Sequence, residues 1–349
     1  MITGMLAPVV GRRVMISRLC STKYGERLPT VLDPFCRLAG PVPVPRRAFT
    51  WNMEGSHGLL IRRGRKEDIP GVWKLTEEAT WNTHQDMIET YFKISEKGWI
   101  IAEKDGKAVG CILAHDFNDD LTTVGHFIVS SKMRKHGVGA QIIKTFLEEY
   151  GDRNIHFNSI SYMTDTYERY IGSPLLKGDV LGKYFGVFKN FPLPSDAERK
   201  YHISDVRHID QSDLIDYDTS YHVIPRPEML KLWLGQTTAE SLVLLEKGKI
   251  VGYGSIRPAR NGFYLGPLYA EDTIGTMVLF KALVDLIPRD SNVDFFLPHA
   301  NEAGRLILKA NKNTVGLYAT FHKCFTKSYI LLPKWNNVFA VLFNECGLC

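Results

Sequence analysis

Apolar and polar positions follow regular periods from about residue 58 onward. Apolar residues at helical spacing predict three helices, from about residue 67, from about Thr83, and in "VGAQIIKTFLEEY" (138–150). Extended apolar segments predict strands near 58–63, in "TTVGHFIVS" (122–130), in "NIHFNSISYM" (154–163) and in "YFGVFKNF" (184–191). A further short helix is predicted near 165–171.

The stretch "GWIIAEKDGKAVGCILAHDF" predicts two more strands joined at Asp105-Gly106, a dipeptide typical of a tight hairpin. The element order is therefore β-α-α-β-β-β-α-β-α-β. The hairpin is antiparallel, whereas the strand–helix–strand unit around 138–150 favours a parallel pair. The sequence thus predicts an α/β fold of the α+β type, with a mixed sheet.

The second half of the chain repeats the first in a degraded form. "WIIAEKDGKAVGCIL" (99–113) resembles "LVLLEKGKIVGYGSI" (242–256), "GAQIIKTFL" (139–147) resembles "GTMVLFKAL" (275–283), and "NIHFNSI" (154–160) resembles "NVDFFLP" (292–298). Three matches in the same order at nearly constant offset predict two similar folds in tandem. We place the first domain at 51–192 and the second at 197–349, divided near Pro192–Asp196.

Charge and composition narrow the class of protein. Residues 1–50 carry eight Lys/Arg and two acids, so the total charge of +5 leaves −1 for the remaining residues. A nearly neutral body predicts no nucleic-acid partner.

No apolar run reaches 18 residues, so no membrane span is predicted. Six scattered cysteines favour a reducing compartment, and "CGLC" (346–349) is open to three interpretations: a redox pair, a prenylation signal or an ordinary tail.

The amino-terminal segment has the composition of a mitochondrial presequence. Residues 1–25 contain Arg12, Arg13, Arg18 and Lys23 and no acid, and a proline-rich linker follows over 28–46. A leader without any targeting role fits the same composition. The predicted location is therefore the cytoplasm or the mitochondrial matrix.

The stretch "RKHGVG" (134–139) lies between a predicted strand and a predicted helix. Amides at a helix start lack partners within the helix, and glycines let a diphosphate approach them closely. The helix dipole favours an anion there by about 0.3–1 kcal/mol, and Arg134 and Lys135 add positive charge. The same glycines could serve only a tight turn. A P-loop is excluded because the Gly-Lys-Ser/Thr ending is absent, and a Rossmann fingerprint lacks its third glycine.

"VSSKMRKHGVGAQIIKTFL" resembles motif A of the GNAT acyltransferase superfamily, whose Arg/Gln-x-x-Gly-x-Gly/Ala loop is matched by Arg134, Gly137 and Gly139. The second half, through "GPLYAEDTIG" and "LPHANEAG", is similar to the YitH/HolE-type domain that follows some GNAT domains. The resemblance implies acetyl-CoA as cosubstrate and no metal. It implies that main-chain groups of Ile128 and Val129 bind the pantetheine arm. It further implies that the pyrophosphate is held by the amides of Lys135, His136, Gly137, Val138, Gly139 and Ala140.

An amine acceptor must lose a proton before it attacks a thioester. An amine of pKa about 10.4 is neutral about once in 2,500 at pH 7, a deficit of roughly 4.6 kcal/mol that a base can reduce. In the family the base often lies on the strand before the motif A loop, where this chain has His126, which could equally be structural. The family's proton donor to the thiolate is a Tyr on the helix after the next strand. The resemblance therefore implies Tyr167, with Tyr170 second, although either ring could be packing.

In the second copy "AEDTIG" (270–275) stands where "RKHGVG" stood, so two acids replace the basic pair and no such CoA site is predicted there. The resemblance implies an N-acetyltransferase acting on a small-molecule or peptide amine. Two alternatives stay open: transfer of a longer acyl group or to another acceptor, and a CoA-binding or protein-interaction tandem without turnover. The sequence predicts neither the acceptor nor the oligomeric state.

Overall fold

A computed structural model of the chain describes residues 53–55, 58–222 and 224–343. The predictions on the basic leader (1–50) and on "CGLC" (346–349) lie outside these residues. The chain from Thr50 onward belongs to one compact unit, so both halves of the repeat lie in the same unit.

The first half contains the predicted helices and strands in the predicted order, except that its last strand has other limits and the short strand β1 was not predicted. Pro70 in the first turn of its first helix suits a position where an amide has no partner in the helix. The strands are β1 (Met53–Gly55), β2 (Leu59–Arg63), β3 (Trp99–Lys104), β4 (Lys107–Asp116), β5 (Leu121–Val129), β6 (Asn154–Ile160) and β7 (Leu176–Gly186). The helices are α1 (Ile69–Glu78), α2 (Gln85–Ile94), α3 (Val138–Tyr150) and α4 (Thr164–Ile171).

One strand prediction is wrong. The last strand of the first half was expected over 184–191, but β7 runs from Leu176 to Gly186 and 187–191 is not a strand. Gly178, Asp179 and Gly182 interrupt the apolar pattern, and these residue types disfavour strands. The segment is extended because it pairs on both sides with strands of the second half.

The second half repeats the same order. Its strands are β8 (His202–Asp205), β9 (Glu240–Glu246), β10 (Lys249–Pro258), β11 (Phe263–Ala270), β12 (Val293–Pro298), β13 (Val315–Phe325) and β14 (Val338–Ala340). Its helices are α5 (Ala197–Lys200), α6 (Gln211–Thr219), α7 (Pro227–Leu234), α8 (Thr273–Asp285) and α9 (Glu302–Ala310).

Within the described residues, the strands of both halves join in a single mixed sheet. Its order is β1-β2-β3-β4-β5-β6-β13-β7-β12-β11-β10-β9-β8, and β14 pairs with β11 off this path. The predicted hairpin β3–β4 is antiparallel and the predicted pair β5–β6 is parallel.

The two halves exchange strands at the centre of this sheet. β13 of the second half lies between β6 and β7 of the first, and β7 in turn lies between β13 and β12. β7 and β13 pair with each other from Leu176–Phe325 to Gly186–Val315. Each half therefore completes its sheet with a strand of the other.

Helices cover both faces of the sheet, and the core divides accordingly. On one face α1 and α2 of the first half pack with α6 and α7 of the second around a shared apolar cluster. On the other face α3 covers the first half and α8 and α9 cover the second. The halves thus share one core on the α1–α2 face.

A buried ion pair fixes the start of α7 in this shared core. Arg226 donates two hydrogen bonds to Asp218, at 3.0 and 2.9 Å, and both side chains are almost fully buried. Burial alone raises the pKa of the Asp218 carboxyl, but the Arg226 guanidinium and His222 together outweigh it and hold that pKa well below its usual range. Tyr253 also donates its hydroxyl hydrogen to Asp218.

None of the helices in the described part of the chain combines the length and the apolar character needed to cross a bilayer.

Candidate functional site

The loop between β5 and α3 presents unpaired main-chain amides. α3 begins at Val138, as predicted, after Gly137 in the left-handed region at φ 80°. The first main-chain hydrogen bond of this helix runs from Gln141 N–H to Gly137 O, at 3.1 Å. Within the described residues, the six amides of 135–140 have no hydrogen-bond acceptor. These are the amides that the resemblance assigned to a pyrophosphate.

Gly137 and Gly139 of the loop are glycines for different structural reasons. Gly137 needs its positive φ, and a side chain there would meet open space. Gly139 has no such constraint, but an added Cβ would lie 3.2 Å from Cζ of Phe127, which is a tight contact. The loop approaches β5 closely at Gly139 and stays open to solvent at Gly137.

Basic side chains surround these amides. Arg134, Lys135 and His136 are all exposed, and neither Arg134 nor Lys135 forms a salt bridge in the described part of the chain. Arg134 donates from Nε to Val129 O at 3.0 Å, and His136 Nδ1 donates to Arg134 O at 2.8 Å. The loop therefore holds fixed positive charge beside free donors, the combination that binds phosphate.

A fork opens next to this loop, where β5 and β6 diverge. The two strands pair in parallel only from Leu121–Asn154 to Thr123–His156. Ser130 N–H donates to Val109 O at 2.9 Å, and hydrogen-bonding positions alternate along an antiparallel ladder. Val129, rather than Ile128, therefore turns its main-chain groups into the fork.

His126 lies on β5 inside a cage of aromatic rings. Its side chain is 1% exposed, and its ring centroid lies 5.4 Å from that of Trp81, 4.9 Å from Tyr91 and 6.4 Å from Trp99. Neither ring nitrogen has a hydrogen-bond partner among the described residues. Burial lowers the pKa of His126 to about 3, so the ring is neutral at pH 7.

This cage changes what His126 can do. A base with a pKa near 6.5 was expected, but a ring with a pKa of about 3 is a weak proton acceptor. Its nitrogens are also covered, so no acceptor can touch them until the cage opens. The position on the strand agrees with the prediction, while the environment does not favour general-base catalysis.

Tyr167 lies on α4 on the other face of β5. Its ring packs on Phe127 and Phe157, with centroids 6.4 and 5.4 Å apart, and against the apolar cluster that α3, the helix carrying Gln141, forms with the sheet. Burial raises the pKa of Tyr167 to about 12, so its hydroxyl stays protonated and can donate. His126 and Tyr167 are not brought into contact. Tyr170 is 41% exposed, and no described ring contact holds it.

Two side-chain contacts, made by Glu78 and by Asn82, were not predicted from the sequence. Glu78 at the end of α1 accepts hydrogen bonds from Ser131 N–H, at 2.5 Å, and from the Ser130 hydroxyl, so it fixes the start of the loop. Asn82 in the α1–α2 connection donates to Asp294 Oδ2 at 3.1 Å and accepts from Asn261 N–H. No local pattern signals either contact, because the partners lie 52 to 212 positions away in the sequence.

Both halves match sequence models of known families. Residues 68–168 match the model described as the acetyltransferase (GNAT) family, and residues 214–316 match a second one, described as an acetyltransferase (GNAT) domain. The first match contains the loop with the open amides, and the second contains the acidic counterpart at 270–275.

Similarity to individual proteins is low in sequence and extensive in fold. The holothin acyltransferase of Pseudoalteromonas sp. (strain SANK 73390) is 20% identical over 235 residues, which cover 66% of this chain and 75% of that protein. A crystal structure from Pyrococcus horikoshii, provisionally assigned as an acetyltransferase, is 15% identical with a TM-score of 0.67, covering 83% of this chain and 96% of that one. A tandem GNAT protein from the clavulanic acid biosynthesis pathway is 10% identical with a TM-score of 0.53, covering 76% and 98%. At these identities the two structures show a likeness of fold alone.

Proposed function

Because the chain is a tandem member of the GNAT acyltransferase superfamily, we propose that its first half, within 51–192, transfers an acetyl group from acetyl-CoA to an amine. In this proposal the second half, 197–349, has no transfer activity of its own. The name of the relative from Pseudoalteromonas supports acyl transfer in general. Longer acyl groups are the main alternative to acetyl.

The observation that carries the proposal is the set of open amides at 135–140 beside Arg134 and Lys135. Unpaired donors at a helix start cost little only when they face water or an anion. Their lack of acceptors, together with the exposed basic side chains of Arg134 and Lys135, fits the pyrophosphate of CoA. The pantetheine arm then extends along Val129 into the fork between β5 and β6, with its thioester between the two strands.

The proposed reaction is a direct displacement. The neutral nitrogen of the acceptor attacks the thioester carbonyl carbon, and a new C–N bond forms as the C=O bond becomes a C–O⁻ single bond. Re-formation of the C=O bond then breaks the C–S bond. The Tyr167 hydroxyl donates its proton to the leaving thiolate, and the proton lost by the nitrogen finally restores the phenol.

His126 has a restricted part in this scheme. Its nitrogens become available to the acceptor only when the rings of Trp81 and Tyr91 move apart, which also readmits water and raises the pKa of His126 toward 6.5. We assign proton removal from the nitrogen to His126 in that open state. In the closed state the acceptor must arrive already neutral.

The test uses two variants of one residue. Gly137→Asp and Gly137→Asn have nearly the same shape, both residue types tolerate the left-handed region, and they differ by one charge. At about 5 Å a carboxylate opposes each phosphate charge by about 1–3 kcal/mol, so Gly137→Asp should weaken CoA binding by roughly tenfold to a hundredfold relative to Gly137→Asn. Titration calorimetry with CoA measures both. Equal affinities for the two variants would place the pyrophosphate elsewhere.

A second candidate function is CoA binding without turnover, and the caged His126 is the observation that favours it. Release of free CoA thiol from acetyl-CoA, followed with a thiol reagent across a panel of primary amines, separates the two. Stimulated release with any amine supports the transferase. Tight CoA binding with no release across the panel supports the binding protein.

A further inference from the structure

The second half contains its own fork at the same place in the fold. β11 and β12 pair in parallel only at Phe263–Val293 and Tyr264–Asp294, and then diverge as β5 and β6 do. In the first half this divergence leaves the slot to which we assign the pantetheine arm. The second half therefore has the geometric basis for a second slot.

The two forks can be aligned through one hydrogen bond at the end of each hairpin. Ser130 N–H donates to Val109 O in the first half, and Glu271 N–H donates to Val251 O in the second, both at 2.9 Å. The residue before the donor is Val129 in the first half and Ala270 in the second, so Ala270 is the counterpart of Val129.

The chain itself fills the β11 side of the second fork. β14 pairs with β11 at Leu268 and Tyr269, directly before Ala270, the counterpart of the fork-facing Val129. In both halves the carbonyl at this position accepts a side-chain donor: Asn337 for Ala270 O, at 3.1 Å, and Arg134 for Val129 O, at 3.0 Å. The pairing of β14 is therefore what distinguishes the second fork from the first. The segment 338–343, which we name the C-terminal wedge, thus takes the main-chain positions expected for a pantetheine arm.

The wedge also contacts the opposite side of the fork. Val341 N–H donates to Phe296 O of β12 at 3.2 Å, and Tyr264 donates its hydroxyl hydrogen to Val341 O at 3.2 Å. A Cβ on Gly266 would overlap the Val341 carbonyl, so glycine is required for this close approach. All six residues of the wedge are buried.

The N-terminus of α8, which corresponds to the N-terminus of α3 with its open amides, is capped by a side chain. The Asp272 carboxylate accepts a hydrogen bond from Gly275 N–H at 2.7 Å. Tyr201 and Lys200 donate to the same carboxylate. A phosphate would have to displace this capping interaction and approach a negative charge.

The wedge ends at the aromatic cage of the first half. The ring of Phe343 lies 4.9 Å from Tyr91 and 4.8 Å from Trp233, centroid to centroid. Tyr91 in turn lies 4.9 Å from His126. A continuous set of ring contacts therefore connects the filled fork of the second half to His126.

We propose that the C-terminal wedge permanently occupies the acyl-CoA slot of the second half, so that one chain binds one acyl-CoA, and that through Phe343 it positions the cage around His126. This inference rests on the proposed function of the first half. The second half then acts as a positioning domain for the acceptor side of the site, and its slot is structural.

The number of binding sites tests the first part. Titration of the full chain with CoA should give one site per chain, and Gly137→Asp should weaken that site without revealing another. Two sites per chain would overturn the inference and leave the proposed function intact. An unchanged single site in Gly137→Asp would place CoA outside the first-half loop and so overturn the proposed function as well as the inference. No binding at all in the unmodified chain would overturn the proposed function together with it.

The second part has a matched pair of variants in the wedge. Phe343→Ala removes a ring that touches Tyr91, whereas Phe339→Ala removes an equally buried ring that packs on Phe280 and Phe295. The pKa of His126, followed by NMR of labelled histidine, should rise by at least about one unit in Phe343→Ala, because Tyr91, a wall of the cage, loses the ring that supports it and water gains access to the histidine.

The same titration should show no such rise in Phe339→Ala, and Phe343→Tyr should restore the original value. An equal response of His126 to both alanine variants would show that the wedge acts only through general packing. If Phe343→Ala does not fold, Phe343→Leu provides the same comparison with a smaller loss of volume, and the number of CoA sites is measured independently of either variant.

Discussion

Because His126 is buried and neutral, the free energy of unfolding should fall as the pH falls. Replacing His126 with a residue that does not titrate should remove this part of the pH dependence. The folded pKa of about 3 lies well below the value of about 6.5 for an unfolded chain. Between these values only the unfolded state binds the proton, so the stabilisation is complete above about pH 6.5 and is lost as the pH falls toward 3. At pH 5 the free energy of unfolding is lower by about 2 kcal/mol, and this figure is nearly the same for any folded pKa below about 4.

His126→Asn is the suitable perturbation because Asn does not titrate and tolerates the observed φ of 49°. The free energy of unfolding, from urea titrations at pH 8 and pH 5, should fall by about 2 kcal/mol more in the unmodified protein than in the variant. The other histidines are common to both proteins and cancel in this difference. Equal pH dependence in the two proteins would mean that His126 protonates in the folded state, which would refute the closed cage and strengthen its role as a base.

Three further predictions concern other buried groups. Tyr167→Phe should lower kcat by roughly a hundredfold with CoA affinity unchanged, because only the proton donor is lost; an unchanged kcat would remove Tyr167 from the mechanism. Asp218→Asn should destabilise the chain by about 3–5 kcal/mol, seen as a lower Tm, because it removes the carboxylate charge from the buried pair with Arg226, and a loss below about 1 kcal/mol would contradict this account. Burial raises the pKa of the Cys111 thiol to about 12, so Cys111 should stay unmodified by iodoacetamide at pH 8 in the folded chain and react in the urea-unfolded chain. Peptide mapping measures both, and labelling of Cys111 in the folded chain would contradict its burial.

The sequence predicts those parts of the site that depend on neighbours along the chain. The turn into α3, its two glycines and the basic residues all lie within ten positions, and they follow from local rules for strands, glycines and helix starts. The order of elements in the first half is confirmed for the same reason. The domain limits at 192 and 197 stay a prediction, since the sheet continues across them.

The parts that the sequence could not predict depend on distant partners. β7 has weak strand propensity around Gly178 and Gly182 and is stabilised by β12 and β13, which lie more than 100 positions away. The sequence identifies His126 as a residue of interest, but the cage that sets its pKa is built by α2, β3 and the α1–α2 connection. Pairing over such separations leaves no local periodic signal.

The exchange of β7 and β13 has a consequence for how the protein forms during translation. The sheet of the first half lacks the strand beside β6 until β13 has been made, and β13 ends at Phe325, well over 100 residues after Gly186. At about 5–20 residues per second, a ribosome needs roughly 7–30 s to cover that distance. During this interval β6 and β7 expose unpaired edges on the nascent chain, so newly made protein should depend on chaperones for protection from aggregation at this stage.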